Sequence, residues 1–137
     1  MIEGLTALPW VHEMRDQPHQ ETALQCDYCM DNLPTAVRAS MNCGHLPASE
    51  HGGTPERFAA GLELTVCAGY TTQLPDVEDI ARQFSHWENG AMDHVCPRGV
   101  PKPLLDGLVI LKSASEARSA YRMREAMEKQ KAGNRGG

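Results

Sequence analysis

Cys26 and Cys29 form a CxxC pair, and thirteen residues intervene before Cys43, which stands two positions ahead of His45. Zinc is held by thiolates and imidazoles, four at a time in a tetrahedron, and the tight turn of a CxxC aims two sulfurs at one metal. Cys26 and Cys29 meet that requirement. The other half of a cage must come from elsewhere: Cys43 with Cys67, or Cys43 with His45, are the nearest candidates, and neither is a second CxxC. Cys67, His86, His94 and Cys96 follow in later segments. They form a second site, or they donate one member, Cys96 or Cys67, to a single cage shared with Cys26, Cys29 and Cys43. The single cage of cysteine ligands, drawn from Cys26, Cys29, Cys43, Cys67 and Cys96, is preferred. His86 adjoins Trp87 within an amphipathic stretch, where a histidine at the edge of a core is commoner than a ligand. Zinc is the expected metal, and all-thiolate ligation also suits an iron–sulfur cluster.

A redox couple is the competing use of a CxxC. It needs a leading thiol activated at a helix N-terminus within alternating strands and helices. Here Asp27 and Asp31 flank the pair, and neighbouring negative charge raises a thiol pKa. A closed structural cage, which orders a loop and performs no chemistry, fits better. Hydrolysis would require a ligand set with one open position.

The 137 residues allow one domain with tails. Aromatic residues make up only 5%, and Val and Ile together number ten, so strand-forming side chains are scarce. Five cysteines, an odd number, without a secretory leader argue against a disulfide framework. No run approaches the roughly 18 apolar residues of a membrane span, which points to a soluble protein with no membrane partner, cytoplasmic in a host cell or part of a virion. Charge is divided unevenly. Residues 1 to 97 carry about −10 and residues 98 to 137 about +5, which is either a solvated terminal helix or a basic arm for an acidic partner.

The elements that must position the thiols follow from breakers and periodicity. Residues 1–25, with Pro9 and Pro18, read as an irregular N-terminal arm docked through Trp10. From Cys26 to Pro55 the breakers Asn32, Pro34, Asn42, Gly44, Pro47, Gly52 and Gly53 predict a loop layer in need of a staple. Thr54, Pro55 and Glu56 start a helix carrying Phe58, Leu62 and Val66 at steps of four, although "LELTVC" alternates like a strand. Pro75 opens a second helix with the stripe Val77, Ile80, Ala81, Phe84 and Trp87, closed by Gly90. A third spans Leu104 to Lys131, with Ser113 and Glu116 available as a capping box that restarts it. The fold class expected is mostly α, a small irregular α or α+β domain over 26–131 with a metal-stapled, loop-rich N-terminal half and a flexible tail at 132–137.

Two resemblances add to this. "MDHVCPRGV" resembles the Asp-His-Val-x-Pro core of HNH-type nucleases, at Asp93, His94, Val95 and Pro97. It implies a metal-dependent nuclease with His94 as general base, but the later Asn or His and second CxxC of that pattern are missing from "PKPLLDGLVILKSASEA". "MNCGHLPASE", "LELTVCAGYTTQLPDVEDIARQFSHWENGAM" and "HVC", within residues 41–96, resemble small proteins of tailed bacteriophages and prophages. That resemblance implies an accessory or virion-associated protein and favours pairing among Cys43, Cys67 and Cys96. The function expected is a non-enzymatic, metal-stabilised protein-interaction module, as a virion or tail-assembly component within a larger assembly. The alternatives are the HNH-like nuclease and a nucleic-acid-binding zinc module supported by the basic C-terminal helix.

Overall fold

The computed structural model describes residues 1–92 and 96–135. Among them are six α-helices: α1 Ile2–Arg15, α2 Cys26–Asn32, α3 Thr35–Ser40, α4 Ala68–Thr72, α5 Pro75–Glu88 and α6 Lys102–Arg135. A short antiparallel hairpin, β1 Glu56–Arg57 with β2 Glu63–Leu64, sits between α3 and α4, with Glu56 opposite Leu64 and Arg57 opposite Glu63. The domain is mostly helical. No described helix is long and apolar enough to cross a membrane.

α5 forms where its sequence places it. Pro75 occupies the first turn, Asp76 and Glu78 meet the positive helix end, Val77 and Ile80 are buried, and Gly90 beyond the end takes φ +72. α6 runs unbroken through Ser113, so no second helix restarts there, and the tail expected from residue 132 continues the helix to Arg135. Gly107, which weakens the helix locally, is the point where α5 crosses: a Cβ there would run into the Ile80 side chain. Leu108, Leu111 and Ala114 are buried beside it.

Two sequence expectations are corrected. Residues 2–15 are a helix and no irregular arm, with Gly4, Leu5, Ala7, Leu8, Pro9, Trp10 and Val11 all buried. A helix enclosed on nearly every side shows no apolar stripe, and its one proline costs a hydrogen bond that burial offsets: Leu5 and Val11 are fully buried, at about 1.5–3 kcal/mol each. Gly4 lets α1 meet α4 closely, because a Cβ there would overlap the Thr71 carbonyl.

The helix expected from Thr54 is the hairpin instead. Phe58 donates its backbone N–H to the Leu62 carbonyl at 2.8 Å across a 3₁₀ turn at Ala59–Gly61, where Gly61 takes φ +76. Spacing of four therefore arose from two positions facing each other across a turn. Both side chains pack against the buried cluster of Ala7, Val11, Leu64 and Ala68.

The second cluster, Leu5, Leu8, Val77, Ile80, Met92, Leu108 and Leu111, joins α1, α5 and α6. Polar groups tie α1 to α6 beyond it. Glu13 takes Arg118 at 2.9 Å and Arg122 at 2.7 Å, and the Arg122 guanidinium lies 5.3 Å from the Trp10 ring centroid. Trp10 in turn stacks on Phe58 and meets the Tyr121 ring edge-on at 5.8 Å.

Candidate metal centre

α2 and α3 contain no buried residue. Two helices of seven and six residues are far too short to persist on propensity, so something other than an apolar face must hold them. They lie beside a cavity of about 20 Å³ lined by Cys26, Cys29, Cys43 and Cys67 together with Leu24, Met30, Arg38, Met41, His45, Gly69 and Tyr70. Four of the five cysteines thus border one cavity.

Each thiol arrives by a different local device. Cys26 and Cys29 occupy the first turn of α2, and three-residue spacing places them on one helix face. Cys43 follows Asn42, a buried residue in the left-handed region at φ +55. Asn42 holds that shape by donating from Nδ2 to the carbonyls of Gly53 (3.2 Å) and Thr54 (3.3 Å) and accepting the Gly53 N–H at Oδ1 (3.0 Å). His51 Nε2 donates to the carbonyls of Cys43 (2.8 Å) and Leu46 (3.1 Å); two acceptors on one ring nitrogen fix the proton there. Cys67 is the N-cap residue of α4, and its backbone N–H donates to the Asn42 carbonyl at 3.1 Å. Gly69 permits the approach of α4 to the turn before α2, since a Cβ there would strike the Leu24 carbonyl.

The electrostatics disfavour four bare thiolates. Burial, then the neighbouring thiols of Cys67, Cys43 and Cys29 and the Asp27 carboxylate, push the Cys26 thiol up to about 11. Burial likewise raises Cys67, opposed by the Gly69 and Tyr70 amides and reinforced by Glu56 and Cys29. A thiol shifted upward is a poor nucleophile at neutral pH. All five cysteines are free thiols. Among the described residues, no three Cys, His, Asp or Glu side chains stand already gathered in a metal-holding array.

Arg38 and His45 complete the wall. Arg38 Nη2 donates to Cys43 Sγ at 3.8 Å, while its Nε is buried without a partner. His45 meets the Tyr70 ring edge-on at 5.0 Å.

Of the other residues that the sequence nominates, Cys96 does not line the cavity. It packs against the cluster containing Leu5, Val77 and Leu108, with its N–H on the Met92 carbonyl at 2.7 Å. His86 is exposed on α5. Asp93, His94 and Val95 lie outside the described residues, and Pro97 occupies an exposed turn. Sequence reasoning missed Arg38, Asn42 and His51. One signal was available: Arg38 is the sole Lys or Arg between Arg15 and Arg57, in the midst of the cysteines.

No family model, curated protein or solved structure matches the chain.

Proposed function

We propose that Cys26, Cys29, Cys43 and Cys67 hold one zinc ion in a closed four-thiolate centre, and that the chain is a non-enzymatic interaction module whose metal orders its N-terminal half. The observation that supports this reading is that four cysteines, from α2, the Asn42 turn and the α4 N-cap, line one cavity. The donor set fits. Sulfur is the ligand of structural zinc, and four thiolates leave no position for substrate water. Binding the ion would gather the four thiols more closely, and α2 and α3, which have no buried residue, are the elements freest to adjust. Zinc then supplies the anchorage that those helices lack.

The partner in this reading is another protein of a larger assembly, with a tail or virion component of a bacteriophage as the most specific form; that setting rests on the resemblance within residues 41–96. The last turns of α6 support a binding role. Met123 and Met127 are exposed there, amid Arg124, Lys129 and Lys131, a mixture of apolar and basic groups suited to an acidic protein surface.

Titration of the zinc-free protein with Co²⁺ tests the centre. A tetrahedral four-sulfur site gives intense visible absorption with sulfur-to-metal charge transfer, saturating at about one ion per chain. A weak spectrum typical of six-coordinate cobalt, or no saturation, contradicts the reading.

A further inference from the structure

Four thiolates around a divalent ion leave two surplus negative charges, and burying uncompensated charge is costly. The wall of the cavity contains one cation, Arg38. Its backbone carbonyl accepts the Cys43 N–H at 3.1 Å, and its Nη2 donates to Cys43 Sγ at 3.8 Å, so both ends of this residue are tied to the same cysteine. The guanidinium has unused capacity. Nε is buried and finds no acceptor, an arrangement that leaves a donor unpaired when nothing fills it. Arg38 has no carboxylate partner among the ion pairs of the described residues.

We propose that Arg38 is the charge-compensating group of the four-thiolate centre, donating to Cys43 Sγ and presenting its second donor to the negative charge that metal binding gathers in the cavity. This rests on the zinc reading and deepens it: the ligands set which metal binds, and Arg38 sets how tightly it is held and how reactive its sulfurs are. Donated hydrogen bonds and a nearby positive charge both withdraw negative charge from a coordinated thiolate, so the loaded centre resists electrophiles. Outer-sphere partners of metal ligands commonly contribute 10–100-fold in affinity.

The test compares wild type with Arg38→Lys, Arg38→Gln and Arg38→Met, each as the full chain loaded with Zn²⁺. Two quantities are measured: Zn²⁺ affinity in competition with a chromophoric chelator, and the rate at which iodoacetamide alkylates the loaded thiols. Arg38→Gln and Arg38→Met are expected to bind Zn²⁺ about 10-fold or more weakly and to be alkylated faster, with Arg38→Lys recovering part of both effects through its charge. Wild-type affinity and alkylation rate in Arg38→Gln would overturn the proposal while leaving the zinc centre standing. So would an Arg38→Lys protein indistinguishable from Arg38→Met, since that pattern marks packing rather than charge. Failure of the wild-type protein to bind Zn²⁺ overturns the centre and the role of Arg38 together.

Discussion

The backbone N–H of Cys67 donates to the carbonyl of Asn42 at 3.1 Å, which couples the N-cap of α4 to the turn that presents Cys43. Two thiol-bearing segments separated by 24 positions in the chain are thereby held in register without any contribution from the sulfurs. The Asn42 side chain makes three further hydrogen bonds, to Gly53 and Thr54, from a buried position. Asn42→Ala removes them and leaves the part-buried Gly53 and the exposed Thr54 backbone groups without that partner, at a predicted cost of about 1–2 kcal/mol. Urea unfolding measures it. Zn²⁺ affinity is expected to fall in the same variant, because the Cys43 turn loses its brace.

Gly69→Ala is predicted to act on the same centre from the opposite side. The added methyl collides with the Leu24 carbonyl, a backbone atom that cannot rotate away, so α4 and Cys67 must shift. Overpacking of this kind costs about 1–3 kcal/mol. Thermal melts with and without Zn²⁺ should show a larger loss in the zinc-loaded protein than in the zinc-free one, and equal losses would confine the effect to packing.

The clamp between α1 and α6 is a separate stability element. Glu13 is mostly buried and serves two arginines, Arg118 and Arg122, while Arg122 also covers Trp10. Exposed pairs contribute less than about 1 kcal/mol, whereas networks of partly buried charges do better. Glu13→Ala should therefore destabilise by about 1–2 kcal/mol, with Zn²⁺ affinity unchanged. A double-mutant cycle with Arg122→Ala isolates the pair.

His12 gives a pH dependence with a definite sign. It borders a groove shared with Glu13, Asp16 and Arg118. Burial, then the charge of Arg15, holds its imidazole below the usual value, with Asp16 opposing. Protonation therefore favours the unfolded chain, whose histidine titrates near 6.5. Stability is predicted to be full above that pH and to decline as pH falls below it toward the lower folded value. His12→Gln should flatten the decline below about pH 6.5; an unchanged profile in that variant assigns the decline elsewhere.

The parts of this fold that the sequence displayed are those whose burial is one-sided. α5 shows an apolar stripe to one face, with Pro75, Asp76 and Gly90 marking its ends, and the start of α6 is announced by Leu104, Leu105, Leu108 and Leu111 after Pro103. α1 was hidden because burial surrounds it: a run such as Leu5 to Val11 has no polar face to set a period. The hairpin was hidden because Phe58 and Leu62 face each other across a turn at the same spacing a helix would give. Among the cysteines, spacing announced Cys26 and Cys29 as a pair. That Cys43 and Cys67 line the same cavity depends on Asn42 and Gly69, whose roles are a left-handed turn and a close backbone approach. Neither leaves a mark in periodicity.

The most direct test is the metal content of purified wild-type protein and its five single Cys→Ser variants, by elemental analysis after dialysis without chelator. About one zinc ion per chain is expected for wild type. Zinc should also persist in Cys96→Ser, whose side chain packs against the core, and be lost or greatly weakened in the variants of Cys26, Cys29, Cys43 and Cys67. Wild-type protein without stoichiometric metal, or a loss in Cys96→Ser while those four variants retain zinc, would contradict the account.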